Sequence, residues 1–502
     1  VSASAGWVGH TVKGETQKLW TRATYFSYTD MNQLPTRINF FEPLASWGGS
    51  NMNEYSLSSN WDKGLFFTGQ VGYKDYVYLE GSYRQDWYRA FKQFEYRGTP
   101  DNYGYFSVGA NTLMHRYISL PEFITHLKLR ASYSEVGNSI PNEVFNKGKA
   151  DLATGAIASS TYGYFDNPIP ETSKSFEAGF DVSFFDSSLN WDLTYYHTGL
   201  YNNYFLQATT GGKSKPVNTG LIRNQGIETT VSYSLGFAKD WMWRTSVNFS
   251  YNDNKIVKTF KDEQGKSSKL EQKIAGGNIV VRYDEGGSYG DMYALDFRRN
   301  DDGSIYLSSN GAPLLSNNSY VYLGNMNSKF QLGWGNTISW KDLSLYFLVS
   351  GRIGGKVISL TEAYLDYQGV SKRVGDARLA AEANPDLQWN GKPAMVMPDG
   401  NLAPIEEYYK AVGGNMFGSQ YVYDATNFRL AELSLGYSFH NLFGGVISNL
   451  SLSVVGRNLF FIYKDAPVDP DIALSTKNGL GAFDIFNMPA TRSVGVNLKI
   501  DF

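Results

Sequence analysis

Residues 493–502 read Ser-Val-Gly-Val-Asn-Leu-Lys-Ile-Asp-Phe, and this stretch decides the fold. Its even positions are Val494, Val496, Leu498, Ile500 and Phe502; its odd positions are Ser493, Gly495, Asn497, Lys499 and Asp501. Successive strand side chains point to opposite faces, so this is a strand with one wholly apolar and one polar face. The pattern recurs upstream. Leu127, Leu129, Ala131 and Tyr133 alternate with Lys128, Arg130, Ser132 and Ser134. Phe176, Ala178, Phe180 and Val182 alternate with Glu177, Gly179, Asp181 and Ser183, and Leu433, Leu435 and Tyr437 with Ser434, Gly436 and Ser438. Soluble antiparallel sheets alternate as well, so the pattern alone leaves a sandwich or propeller open beside a membrane barrel.

The connections separate these options. Short joins fall at Lys74-Asp75, Asp186-Ser187-Ser188, Lys239-Asp240, Lys341-Asp342 and around Asn441-Leu442. Long joins fall at about 137–172, 257–328, 354–426 and 462–491. Outer-membrane barrels have short turns on one side and long loops on the other, whereas a sandwich has no reason for that alternation. Aromatic residues crowd the short-turn ends: Tyr73 and Tyr76, Phe184 and Phe185, Phe237 and Trp241, Trp340, and Phe439. That placement matches an aromatic girdle at a membrane interface. About 14 strands are expected, at roughly 20–28, 65–73, 75–86, 103–111, 126–136, 173–184, 190–206, 220–235, 241–256, 329–340, 343–353, 427–439, 449–461 and 492–502. Before residue 20 the pattern is poor, although the start resembles the inside of a strand.

Composition agrees. The 502 residues include Tyr 36, Phe 31, Trp 11, Gly 51, only Pro 16 and no Cys. No disulfide scaffold and no Cys-based metal or nucleophile site can exist. Aromatic residues at 16% argue against disorder. Lys+Arg 45 is offset by Asp+Glu 48, so a nucleic-acid partner is not expected. No run of 18 apolar residues occurs and mean hydropathy is -0.34, which excludes a helical membrane protein. Barrel alternation keeps the average polar while one face is apolar.

Chemistry finds little support. His10, His115, His126, His197 and His440 form no His-Glu-x-x-His arrangement, so no metal site is expected. Gly351 to Val357 has phosphate-loop character, but its glycine spacing is one residue short and Val replaces Ser/Thr. Asp301-Asp302-Gly303 could start a calcium loop, but Ala312 sits where the bidentate Glu belongs; a turn is the better reading. Asp469 and Asp471 flank Pro470 and read as turn chemistry. No catalytic residue and no cofactor is expected. The long loops should carry binding function. The 354–426 loop has expected helices at Val357 to Tyr367 and Gly375 to Ala383, then several prolines. Tyrosine can stack on sugar rings or pack against a partner. Tyr162, Tyr164, Tyr364, Tyr367, Tyr408 and Tyr409 are the candidate substrate contacts. Lys128, Arg130, Glu177, Asp181 and Glu228 are the candidate lumen-facing residues.

Several strings, in order, carry a resemblance. They are Leu127 to Tyr133 with Gly137-Asn138; Pro170-Glu171-Thr172; Asn224-Gln225-Gly226-Ile227-Glu228; and Gly351-Arg352-Ile353-Gly354-Gly355-Lys356. Further along come Ala363 to Asp366, Gly369 to Lys372, Leu433 to Tyr437, Gly456 to Phe460, Val468-Asp469-Pro470 and the terminal Phe502. Together they resemble the SusC/RagA family of TonB-dependent outer-membrane transporters of Bacteroidetes. The resemblance implies an all-β transmembrane antiparallel β-barrel in which this chain supplies the last 14 of about 22 strands. Residues 1–502 would then be the C-terminal portion, with the plug domain and TonB box absent from this chain. It also implies a Gram-negative outer membrane with lipid and lipopolysaccharide around the barrel, and active import of oligosaccharides or peptides. The implied partners are a SusD-like surface lipoprotein as lid, and TonB-ExbB-ExbD acting through the missing N-terminal part. A passive porin-like channel and a surface receptor without transport remain the alternatives.

Overall fold

The computed structural model describes residues 1–19, 53–89, 101–138, 169–208, 214–259, 261, 271–471 and 481–502. Its main feature is one antiparallel sheet of 14 strands. The first seven are β1 (Ser2–Leu19), β2 (Asn53–Tyr73), β3 (Val77–Tyr88), β4 (Asn102–Leu113), β5 (Ile124–Asn138), β6 (Glu171–Phe184) and β7 (Leu189–Ala208). The others are β8 (Ser214–Ala238), β9 (Trp241–Lys258), β10 (Phe330–Trp340), β11 (Leu343–Ile353), β12 (Asn427–Leu442), β13 (Ile447–Lys464) and β14 (Ser493–Asp501). Each strand pairs with its neighbours in sequence, so the sheet is a meander with β1 and β14 at its edges. Thirteen strands lie where the alternation places them. The first differs: it is Ser2–Leu19, and the stretch expected at 20–28 lies outside the described residues. Its sequence, with Gly6, Gly9 and Gly14 among small polar residues, carries too little apolar contrast to declare a face.

Opposed residues in an antiparallel pair share a face, so the register carries the apolar side from strand to strand. Leu129 opposes Phe180, which opposes Leu193. Leu435 opposes Val454, which opposes Val496. These side chains do not make a core: Val496 is 65% exposed, and Leu129, Phe176, Trp334 and Leu435 are exposed too. Among the described residues, the sheet contributes only Val182, Ile222, Ile256 and Val455 to the buried hydrophobic set. A soluble sheet would cover such a face, whereas a membrane-spanning one leaves it to lipid.

The short turns use left-handed backbone. Lys74 and Asp75 have φ 48° and 56°, and Asp240, Lys341 and Asn441 are also positive. This twist matches that of the flanking strands and keeps the joins tight. Aromatic rings gather at the same ends. Tyr73 and Tyr76 meet edge to face at 5.8 Å, and Trp241 and Trp340 stack at 5.7 Å. The ammonium groups of Lys74 and Lys341 sit over Tyr73 and Trp340.

The other connections build a second body. Between β9 and β10 runs a four-stranded sheet (Glu271–Ile274, Ile279–Arg282, Asp291–Phe297 and Leu315–Asn325). Between β11 and β12 lie α1 (Leu360–Tyr367), α2 (Lys372–Ala383) and α3 (Ile405–Gly414). Ser359 and Ser371 cap α1 and α2 by accepting from Glu362 N and Val374 N. Two further small sheets complete it: Lys356–Ser359 pairs with Val422–Asp424 and Phe483–Asp484, and Lys392–Val396 with its two neighbours. These segments share one core that includes Ile279, Met292, Phe297, Ile358, Tyr408, Val412, Phe417, Tyr421 and Phe483. Three long connections thus fold into one cap at the end of the sheet opposite the short turns.

Candidate functional site in the polar face and its cap

The polar face is as continuous as the apolar one. Lys128 opposes Asp181, Arg130 opposes Gly179, and Ser132 opposes Glu177. Asp181 and Gly179 oppose Asp192 and Thr194 on β7, and Thr194 opposes Glu228 on β8. The five candidate lumen residues, Lys128, Arg130, Glu177, Asp181 and Glu228, therefore lie on one face. Glycines let long side chains cross it. Arg130 reaches over Gly179, where a Cβ would lie 3.3 Å from its Nε, to pair with Asp192 at 2.8 Å and donate to Thr194 Oγ1 at 2.6 Å. Tyr196 lies across Gly226 in the same way and donates to Asn252 Oδ1 at 2.9 Å. This explains the glycine within Asn224-Gln225-Gly226-Ile227-Glu228: any Cβ there would collide with the Tyr196 ring.

Toward the cap, Asp471 descends from the segment after β13 and meets two arginines of the wall. It pairs with Arg429 in close contact and with Arg352 Nη1 at 3.0 Å, while Asn427 Nδ2 donates to it at 3.4 Å. The Asp471 and Arg429 side chains are only 12% and 18% exposed. A cavity of about 480 Å³ opens here, bordered by Asp192, Thr194, Glu228, Arg352, Arg429 and Asp471 among others. Its walls offer hydroxyls, carboxylates and guanidinium groups. The place of Asp471 beside Pro470 reads as turn chemistry. Its partners Arg352 and Arg429 stand far away in sequence, and only the register of β11 and β12, with Ser350 opposite Arg429, brings them together.

The cap resolves the tyrosine candidates. Tyr408 and Tyr409 are 3% and 7% exposed. They point into the cap core, with Phe297 6.3 Å from Tyr408, and this corrects their assignment as contact residues. Pro404 starts a helix that the proline-rich sequence hid, and its inward stripe is Ile405, Tyr408, Tyr409 and Val412. Gly413 allows α3 to touch α1, since a Cβ would strike the backbone of Ala363 and Tyr367. Tyr364 and Tyr367 lie on the outer side of α1, each 44% exposed, and Tyr364 meets Phe486 edge to face at 5.4 Å. Tyr162 and Tyr164 lie outside the described residues.

A buried carboxylate ties the cap together. Asp366, fully buried, accepts from Arg373 and from Tyr421 Oη. Burial pushes the Tyr421 hydroxyl far above the usual tyrosine range, and Asp366 beside it adds to the effect. Burial would weaken the proton affinity of Arg373, but its bond to Asp366 outweighs this and the net shift is upward. The trio is a fixed ion pair with a neutral hydroxyl, a pin rather than an acid–base device. The remaining motifs are structural too. Gly354 and Gly355 turn with φ 80° and 86° into a strand whose Lys356 pairs with Asp424 at 3.1 Å. Asp302 closes a turn by accepting from Ser304 N at 2.9 Å. His115 and His126 approach with ring centroids 4.5 Å apart, which sequence distance concealed, yet no group of three metal ligands forms among the described residues.

Comparison with known proteins gives a consistent result. Residues 3–350 match the family model described as TonB dependent receptor-like, beta-barrel. TonB-dependent receptor P3 of Formosa agariphila is 24% identical, aligning 80% of this chain with 42% of that protein. TonB-dependent receptor SusC of Bacteroides thetaiotaomicron is 21% identical, aligning 72% of this chain with 36% of that protein. Among solved structures, the RagAB peptide importer in the open-open state superposes with TM-score 0.70 at 17% identity, covering 100% of this chain and 52% of that one. The chain spans about half the length of the curated relatives it matches.

Proposed function

Because the chain belongs to the TonB-dependent receptor-like β-barrel family of the bacterial outer membrane, we propose that it forms the barrel wall of a SusC-type active importer of oligomeric nutrients. The observation that carries this reading is the pairing of two continuous faces with one folded cap. The apolar face suits contact with lipid. The polar face, running from Lys128 through Asp192 and Glu228 to Arg429, offers a passing solute hydrogen-bond donors and acceptors at every strand. A wide barrel of this class needs a plug. In this reading the plug and TonB box belong to the rest of the protein, TonB-ExbB-ExbD drives release, and a SusD-like lipoprotein closes over the cap. Tyr364 and Tyr367 are the exposed aromatic groups of α1 proposed to meet substrate or lid. Oligosaccharides are the favoured cargo, and the chain performs no covalent chemistry.

Uptake tests the proposal. Cells that carry the full gene should accumulate a fluorescently labelled nutrient oligomer, and deletion of TonB should abolish the accumulation. Uptake that persists without TonB would make the protein a passive channel. Surface binding with no accumulation in either strain would make it a receptor.

A further inference from the structure

A second and larger cavity, of about 1250 Å³, lies between the outer ends of β6 to β9 and the four-stranded sheet of the cap. Small-molecule pockets occupy roughly 300–1,000 Å³, so this space suits several linked units rather than one. Its lining is unusual in its chemistry: Asn203, Asn224, Asn252, Asn254, Asn325 and Asn327 all border it. Some of these amides are consumed internally. Asn254 donates to Asn224 Oδ1 at 2.8 Å and accepts from Ser288 Oγ and Tyr289 N. Asn325 donates to Tyr289 O and Asp291 Oδ1. Others keep a group in reserve. Asn252 uses its oxygen for Tyr196 and Asn327 uses its nitrogen for Tyr289 O, which leaves Asn252 Nδ2 and Asn327 Oδ1 without a partner among the described residues. Asn203 Oδ1 is buried and unpartnered among the described residues. The cavity therefore presents a spare donor and a spare acceptor.

Most of its charges are engaged within the wall. Glu271 pairs with Arg282 at 3.7 Å. Asp291 accepts from Ser288 N, Tyr322 Oη and Asn325 Nδ2. Arg223 pairs with Asp253 at 3.7 Å. Glu171, Lys255 and Lys329 are the remaining charged borders. Aromatic surface is present: Tyr283 and Tyr289 lie 5.0 Å apart, and the Tyr322 ring is 57% exposed.

We infer that this cavity is a subsite for a neutral oligosaccharide segment, a reading that rests on the import function proposed above and names its cargo. A sugar hydroxyl donates and accepts at once, which a primary amide matches from a single side chain. The apolar face of a sugar ring packs on tyrosine. An acidic sugar would bring its charge against Glu171, Asp253, Glu271 and Asp291, which outnumber the basic groups of the wall, and a charged peptide end would lose its hydration among amides, at a desolvation cost.

The test uses the protein extracted in detergent from its host outer membrane and titrated by calorimetry. The probes are neutral hexasaccharides (malto-, cello-, manno- and xylo-series), hexagalacturonate, and a hexapeptide with free ends. At least one neutral hexasaccharide should bind, with hexagalacturonate and peptide at least tenfold weaker. The double variant Asn252→Ala, Asn327→Ala should weaken that binding roughly tenfold, given the worth of two neutral hydrogen bonds. Asn252→Ser, which keeps an acceptor for Tyr196, should weaken it severalfold should the double variant fail to fold. Lys372→Ala, on the exposed side of α2, should change nothing. Hexagalacturonate or peptide binding as tightly, no neutral hexasaccharide binding, or unaltered affinity in folded Asn252 variants would overturn the inference. TonB-dependent uptake of another cargo would leave the import reading standing while removing this one; tight sugar binding with TonB-independent uptake would do the reverse.

Discussion

At the residue scale, the wall and the cap are joined by side chains whose partners lie far away in sequence. Alternation shows that Arg130 and Asp192 are polar-face residues, but not that Gly179 opens the path between them. Asp471 is the sharper case. Beside Pro470 it has the look of a turn residue, yet it clamps Arg352 and Arg429 of the wall to the segment after β13. Replacing Asp471 with Ala leaves the mostly buried Arg429 guanidinium without its carboxylate, a loss of about 1–3 kcal/mol. The expected outcome is faster protease cleavage between residues 465 and 492 and an unchanged barrel by heat-modified gel mobility. Equal cleavage rates would show that the clamp does not hold the cap. Asp366 was legible as part of a motif, but its role as a pin for Arg373 and Tyr421 needed the folded cap.

At the element scale, the sequence was readable wherever one face of a strand met lipid and the other did not. Thirteen strands and the sides of their connections follow from that contrast. It fails in β1, where small residues blur the faces, and in the cap, where strands are short and α3 hides behind Pro404. A paired substitution tests the faces. Val496→Arg puts a cation on the lipid side of β14 and should cost about 2–4 kcal/mol near the bilayer midplane, whereas Asn497→Arg on the polar side should cost far less. Urea titration of the refolded barrel in liposomes checks the difference, and equal costs would remove the assignment. The cap is held by burial instead. Tyr408→Ala opens a cavity under α3 and should destabilise the cap by roughly 3 kcal/mol, as large-to-small aromatic changes do. Loss of cap protection in hydrogen exchange, with the strands still protected, is the expected readout; uniform protection would mean that α3 does not depend on this ring.

At the scale of the whole molecule, two bodies with opposite logic share one chain. The sheet leaves its apolar residues uncovered and buries almost nothing, whereas the cap has a core like that of a soluble domain. The chain length alone would suggest several soluble domains, but the described residues form one sheet and the connections folded at its rim. The family is settled by residues 3–350, and the cargo is a question for the cavity walls. The central claim is that the polar face borders water while the other borders lipid, and the absence of Cys makes it directly measurable. Single cysteines placed in turn at positions 176, 177, 178, 180 and 181 of β6 would be probed in proteoliposomes with a charged, water-soluble maleimide and, separately, with a fluorophore quenched by spin-labelled lipid. Maleimide labelling is predicted at 177 and 181, and lipid quenching at 176, 178 and 180. Uniform labelling along the strand, or quenching at the odd positions, would contradict that claim.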